Sequence, residues 1–253
     1  PKYPWNMTLG AIQDLSLLST IGRHMGMQAK RLGVHMNFAP VADVNINPNN
    51  PIIGNRSFGS DVRRVSARAL ALSQGMNAAG VFTCAKHFPG HGDTSVDSHK
   101  ALPVLPFTRE RLDSIELYPY KTPLLQGVQG VMVAHLDVPV LTGEPGLPVS
   151  LSHKVTTGLL QKELNFKGLV FTDALNMKGA SDFSPDGDVS LKALLAGNDV
   201  LVIPNDLGLS IAHLSEALKK GVLTEARLAY SVKKILAAKY DLGLNQYSPV
   251  QLN

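Results

Sequence analysis

Five short apolar runs alternate with segments of helical periodicity along this chain, and nearly every run is closed at its C-terminal end by side chains with acid, base or ionic chemistry. The runs cover residues 34–44, 81–87, 130–135, 168–172 and 199–203. They are β-branched or aromatic in character and bounded by glycines or polar turns, which predicts buried strands. Between them Leu15, Leu18, Gly22, Met25, Ala29 and Leu32 fall three or four apart, as do Val62, Val65, Ala69, Leu72, Met76 and Ala79, which predicts two helices. Ser60 and Gly80 read as start and stop of the second. Thr108, Ser152 and Thr224 read as N-caps of three more, one interrupted at Pro119 and the last running to Tyr240 ahead of Gly243.

Strand and helix in strict alternation imply an α/β fold, a parallel sheet covered by helices, either closed as a (β/α)8 barrel or open and doubly wound. Both keep their chemistry at the strand C-termini. Asp43, Lys86, His87, His135 and Asp173 obey that rule, and Asn205 and Asp206 follow the fifth run. An open sheet gathers its ligand at one switch point, whereas a barrel collects residues from nearly every strand, so the spread favours a (β/α)8 TIM-type barrel. A barrel needs eight strands, and each unit takes roughly 30 to 45 residues. The expectation is therefore a barrel lacking about three N-terminal βα units, with residues 1–245 as the partial catalytic domain and 246–253 as a tail or the start of a linker. Neither an initiator methionine nor a signal-peptide pattern precedes Pro1, which fits an upstream extension. Expressed alone, such a piece is expected to fold poorly.

The 253 residues include one cysteine, so no internal disulfide is available, and no run of 18 apolar residues marks a membrane span. The net charge of +4 is spread along the chain rather than gathered in a basic block, which argues against nucleic acid as a partner.

The densest chemistry lies in residues 86–99, Lys-His-Phe-Pro-Gly-His-Gly-Asp-Thr-Ser-Val-Asp-Ser-His, with three histidines, two aspartates and two glycines leaving a strand. Asp97 and His99 are two apart, so an extended backbone sets both on one side. A carboxylate beside an imidazole orients the ring and favours its protonated form, as general acid/base work requires. The rival reading is a zinc site built on His87, His91 and His99. Asp173, after its own apolar run, could attack a carbon, hold a hydroxyl, or cap a helix. Arg56, between Gly54 and Gly59, offers a planar fork to a hydroxyl, carboxylate or phosphate, or to a surface ion pair. His135 fits a pocket or a satisfied core equally well.

Phe38-Ala39-Pro40-Val41-Ala42-Asp43-Val44, Gly54-Asn55-Arg56-Ser57-Phe58-Gly59, the long run from Lys86 to His99, and Phe171-Thr172-Asp173-Ala174-Leu175-Asn176-Met177 together resemble glycoside hydrolase family 3, specifically its β-N-acetylglucosaminidase branch. The resemblance covers essentially the whole chain in order. It implies that the five strands are the fourth to eighth of the barrel. It also implies a retaining exo-β-N-acetylglucosaminidase acting on cell-wall muropeptides or chitooligosaccharides, with Asp173 as nucleophile and His99, paired with Asp97, as general acid/base. Arg56, Lys86 and His87 are assigned to sugar binding, and Asp43, His135 and Met177 to the pocket. No metal and no organic cofactor are expected, and a carbohydrate is the partner, with a further C-terminal domain present in several relatives. The family's recycling role suggests the cytoplasm, with the envelope as alternative. A β-glucosidase of the same family, a zinc-dependent hydrolase and a non-catalytic sugar binder are the rivals. The second acid common in the branch's Ser-Asp-Asp-Leu-Ser-Met motif is Ala174 here, which bears on the aglycone rather than the nucleophile.

Overall fold

The structure is a computed structural model that describes residues 2–184 and 188–246. Five parallel strands form one sheet in sequence order: β1 (Met36–Asn37), β2 (Phe82–Phe88), β3 (Gly130–Val133), β4 (Leu169–Ala174) and β5 (Val200–Val202). The predicted α/β alternation thus holds as a mixed fold on a parallel sheet. Side chains alternate across it, so Cys84 and Lys86 share one face, as do Phe171 and Asp173. The helical side of the sheet carries the main core, in which Ala85, Phe88, Val131, Val133 and Val170 meet Val65, Leu72 and Met76. The other side buries Cys84, Met132, Leu169 and Phe171 against Met36, Val200, Val202, Ile235 and Ala238. Lys86 and Asp173 rise one step above that apolar layer, at the C-terminal rim.

Helices Leu15–Arg31 and Val62–Ala78 form the closest helix pair, and glycine makes it possible. A Cβ on Gly22 would sit 2.3 Å from the Leu72 carbonyl oxygen, and one on Gly75 would sit 2.0 Å from that of Ser19. Only backbones without side chains at those two points approach so closely.

Several boundaries differ from expectation. The first predicted strand, 34–44, leaves the ladder after Asn37 and meets β2 again at Val41, opposite Lys86, with Pro40, which has no N–H to donate, in the gap between. It still runs beside β2, where Ala39 and Pro40 carbonyls accept from Cys84 N and Lys86 N at 2.8 and 3.1 Å. Asp61, not Ser60, caps the Val62–Ala78 helix, accepting from Arg64 N, and Gly80 follows its end with φ of 80°. Ser152 caps nothing with its side chain: the fourth helix is a π-helix, Lys154–Glu163, entered through His153. The third helix stops at Ser114, ahead of Pro119, while Thr108 and Thr224 cap as predicted. The two longest of the helices not foreseen, Val189–Ala196 and Leu207–Lys219, flank β5, and Asp206 caps the second by accepting from Leu209 N. Of the predicted tail 246–253, all but residue 246 lies outside the described residues. No helix among the described residues is long and apolar enough to cross a membrane.

Candidate active site

Asp43 organises the rim. It is 1% exposed, and every lone-pair direction it uses points at the segment leaving β2: Oδ1 accepts the backbone N–H of His87 (3.1 Å) and of His91 (2.7 Å), and Oδ2 accepts His87 Nδ1–H at 2.6 Å. Burial alone would raise its pKa, but the imidazoles of His87 and His91 and these donors outweigh burial and hold it below the ordinary carboxylate range. Arg56 Nη2 lies 3.3 Å from His87 Nε2, and a guanidinium can only donate, so Nε2 accepts and Nδ1 carries the proton. Arg56 is placed by its own loop, where Ser57 Oγ lies 2.6 Å from the Asp43 carbonyl oxygen. Lys86 and His87 are joined by a cis peptide bond.

Asp173 extends from β4 onto the face it shares with Phe171 and is half-buried. Its Oδ1 accepts from Ala174 N at 2.8 Å, so it caps no helix. Burial pushes its pKa up, and the neighbouring His87 and His135 rings, the Ala174 N–H and Lys86 push it further down, so the carboxyl stays below its usual range and is anionic at neutral pH. Burial and Arg56 hold the Lys86 ammonium below its ordinary pKa, with Asp173 opposing. His135 is fully enclosed, Nδ1 2.8 Å from Ser150 Oγ and Nε2 3.1 Å from the Ala174 carbonyl oxygen. It stands under Asp173 as a satisfied buried ring. Met177 is buried at the start of the turn that follows.

His99 and Asp97 pair with each other on the loop: Nδ1 to Oδ1 is 2.8 Å, and the His99 N–H donates to the same oxygen at 2.9 Å. The pairing is made by a turn, closed by Lys100 N on the Asp97 carbonyl at 2.8 Å, and not by the extended backbone expected from the spacing. The His99 side chain is 63% exposed, so the pair stands free while the Asp43–His87–Arg56 group is packed. The loop that carries the pair is tied through backbone to the segment leaving β4, where Gly179 N donates to the Ser98 carbonyl at 3.2 Å.

The zinc reading requires converging, unengaged imidazole nitrogens. His87 and His91 instead engage Asp43, Arg56, Thr94 and Ser98, and among the described residues no group of three or more His, Cys, Asp or Glu is arranged to hold an ion. Sequence reasoning missed the residues that pin the loop. Asn50 donates to the His91 carbonyl at 2.8 Å, and Arg111 bridges Asp93 and the buried Glu116 at 2.9 and 2.6 Å. Gly92 has a sequence signal: a Cβ there would stand 1.9 Å from the Val44 carbonyl oxygen, so the loop lies directly on the end of the first strand segment.

The chain is similar to known proteins over nearly its whole length. The model of the glycosyl hydrolase family 3 N terminal domain covers residues 2–238. Beta-hexosaminidase A of Pseudoalteromonas piscicida is 35% identical over 263 residues, spanning 95% of this chain and 44% of that protein. A glycoside hydrolase family 3 beta-N-acetylglucosaminidase structure from Paenibacillus sp. str. FPU-7 superposes with a TM-score of 0.93 at 39% identity, covering 98% of this chain and 48% of the other. The beta-glucoside phosphorylase BglX superposes with a TM-score of 0.93 at 29% identity, covering 98% of this chain and 46% of its own. The chain spans about half the length of such relatives. By the extent of the family match and the identity of these proteins, it belongs to glycosyl hydrolase family 3.

Proposed function

We propose that the chain carries the catalytic site of a retaining exo-β-N-acetylglucosaminidase that removes terminal β-linked N-acetylglucosamine from cell-wall muropeptides or chitooligosaccharides. The observation that carries this is the pairing of two unlike groups at one rim. Asp173 is kept anionic in a half-buried setting beside Lys86 and His87, and an exposed His99–Asp97 pair sits on a loop bonded to the segment leaving β4. The names of the hexosaminidase relatives support the substrate. In the first step Asp173 attacks the anomeric carbon while imidazolium His99 protonates the departing oxygen, and the bond to the aglycone breaks. In the second, neutral His99 takes a proton from water, whose oxygen displaces Asp173 and releases the sugar with retained configuration. Arg56 and Lys86 donate to sugar hydroxyls, and Asp43 acts through His87, which it orients.

We read the sheet as the fourth to eighth strands of a (β/α)8 barrel, with 1–245 part of its catalytic domain. Among the described residues β1 and β5 are edges, and the helices beside them expose Leu15, Leu17 and Leu32 on one flank and Leu207, Ile211, Leu236 and Tyr240 on the other. Barrel closure would cover both.

Chromogenic N-acetylglucosaminide and glucoside substrates separate this reading from a β-glucosidase. The first is expected to be cleaved far faster, and His99→Ala to lower kcat/KM by about 10² to 10⁴ on an N-acetylglucosaminide whose leaving group requires protonation. Equal or greater glucoside turnover, or an undiminished His99→Ala rate, overturns it. A second reading, phosphorolysis, is favoured by the acid/base being a histidine, because neutral imidazole repels incoming phosphate less than a carboxylate does. In phosphate buffer, sugar 1-phosphate is expected beside free sugar; free sugar alone at every phosphate concentration rules phosphorolysis out.

A further inference from the structure

His91 has no part in the reaction as written, yet it is 2% exposed and bonded at three atoms. Its backbone N–H donates to Asp43 Oδ1 at 2.7 Å, Nδ1 lies 2.8 Å from Thr94 Oγ1, and Nε2 lies 3.2 Å from Ser98 Oγ. Asn50 Nδ2 reaches Thr94 Oγ1 at 3.4 Å, and an amide nitrogen only donates. The Thr94 hydroxyl therefore accepts from Asn50, and its Oγ1 also lies 3.2 Å from the His91 carbonyl oxygen; in either tautomer the ring is bonded to Thr94 at one nitrogen and to Ser98 at the other. Burial first, and the neighbouring His87 second, hold His91 below its ordinary pKa against the pull of Asp43, in keeping with a neutral ring that accepts at one nitrogen and donates at the other.

The chain on either side shows what this ring holds. Ser95 and Val96 are exposed, Asp97 is half-buried, Ser98 is buried, and His99 and Lys100 are exposed again. The segment that presents His99 thus meets the body through two buried hydroxyls, those of Thr94 and Ser98, and one imidazole takes both. The backbone bond from Gly179 to Ser98 is the tie on the far side.

We propose that His91 is a positioning residue that sets the reach of His99, its ring fixing Thr94 against Ser98 while its N–H refers both to the carboxylate that orients His87. This rests on the acid/base role proposed for His99. The ring does not touch the sugar; it holds the residue next to the one that moves the proton.

The test compares wild type, His91→Phe, Ser98→Ala, His99→Ala and the His91→Phe/His99→Ala double variant of the whole protein. Two aryl N-acetylglucosaminides are used, one whose phenol departs without protonation and one whose phenol requires it. His99→Ala is expected to lower kcat/KM by about 10² to 10⁴ on the second and little on the first. His91→Phe is expected to follow the same pattern at smaller size, about 10- to 100-fold on the second substrate, with the double variant no worse than His99→Ala alone, as for two residues acting as one unit. Ser98→Ala, which keeps the ring and removes one contact, is expected to lose less in the same direction, and it carries the test where His91→Phe does not fold. Equal losses on both substrates, or additive losses in the double variant, overturn the proposal. If His99→Ala shows leaving-group dependence and neither His91→Phe nor Ser98→Ala does, the positioning role alone falls. If His99→Ala shows none, the acid/base assignment falls and takes the positioning role with it.

Discussion

Replacing Asp173 by alanine is expected to lower kcat/KM on an N-acetylglucosaminide by at least about four orders of magnitude, or ~5.5 kcal/mol of transition-state stabilisation. The fold is expected to survive, because the carboxylate makes one hydrogen bond, to the N–H of its own neighbour Ala174, and is half-exposed. The same geometry supplies a stereochemical readout. With the side chain truncated, azide can occupy the vacated space and attack the anomeric carbon from the face Asp173 used, giving an α-glycosyl azide. In His99→Ala the glycosyl-enzyme still forms on an activated substrate, and azide then displaces Asp173 from the opposite face, giving the β-azide. One anion with two variants thus yields opposite configurations if Asp173 is the nucleophile and His99 the base. Residual activity above about 1% in Asp173→Ala, judged against that expected loss, or a β-azide from that variant, would remove Asp173 from the role.

Why Asp173 could be singled out from the sequence, and Asp43's partners could not, is a matter of range. β2, β3 and β4 are covered on both faces, so they read as continuous apolar runs, and a polar residue that ends such a run stands out. The first expected strand overruns because residues 34–44 are mostly apolar while Pro40 cannot donate to the ladder. Helix Val189–Ala196 went unseen because its residues are mostly apolar or small on every side and leave no stripe to detect. Asp61 and Asp206 cap helices through the third N–H beyond them, a local pattern that the neighbouring Ser60 and the rim position of Asp206 obscured. The Asp97–His99 pair was legible because it is two residues long, although the turn that makes it was not. The bonds from Asp43 to His87 and from Asn50 to His91 span 44 and 41 residues and exist only once the chain has folded. Of the three histidines behind the zinc reading, only His87 takes its ring partners, Asp43 and Arg56, from distant segments; the rings of His91 and His99 are engaged within the loop itself.

Asp43 therefore carries the second large expectation, and its effect is on stability as much as on rate. Asp43→Ala strands three buried donors at once, the N–H groups of His87 and His91 and the His87 Nδ1–H, and each such orphan costs about 1 to 3 kcal/mol. Allowing for relaxation, a loss of about 3 to 5 kcal/mol is expected in denaturant unfolding at neutral pH, the range seen when one partner of a buried pair is removed. The pH dependence follows from the direction of the shift. Asp43 is held below the ordinary carboxylate value when folded, so its contribution is complete above the unfolded value of about 3.9 and is lost as pH falls through the folded value. The stability gap between wild type and Asp43→Ala should stay level from about pH 5 to 8 and narrow only below about pH 4. Asp43→Asn separates orientation from stability. Its amide oxygen can still accept the two backbone N–H groups, but its nitrogen must face His87 Nδ1, which forces that nitrogen to accept and turns Nε2–H toward the Arg56 guanidinium, donor against donor. The asparagine variant is expected to lose less stability than alanine, yet about 10² to 10⁴ in kcat/KM, as when a histidine is held in the wrong tautomer. An asparagine variant with full activity, or a stability gap that widens in acid, would show that Asp43 does not work through the ring of His87.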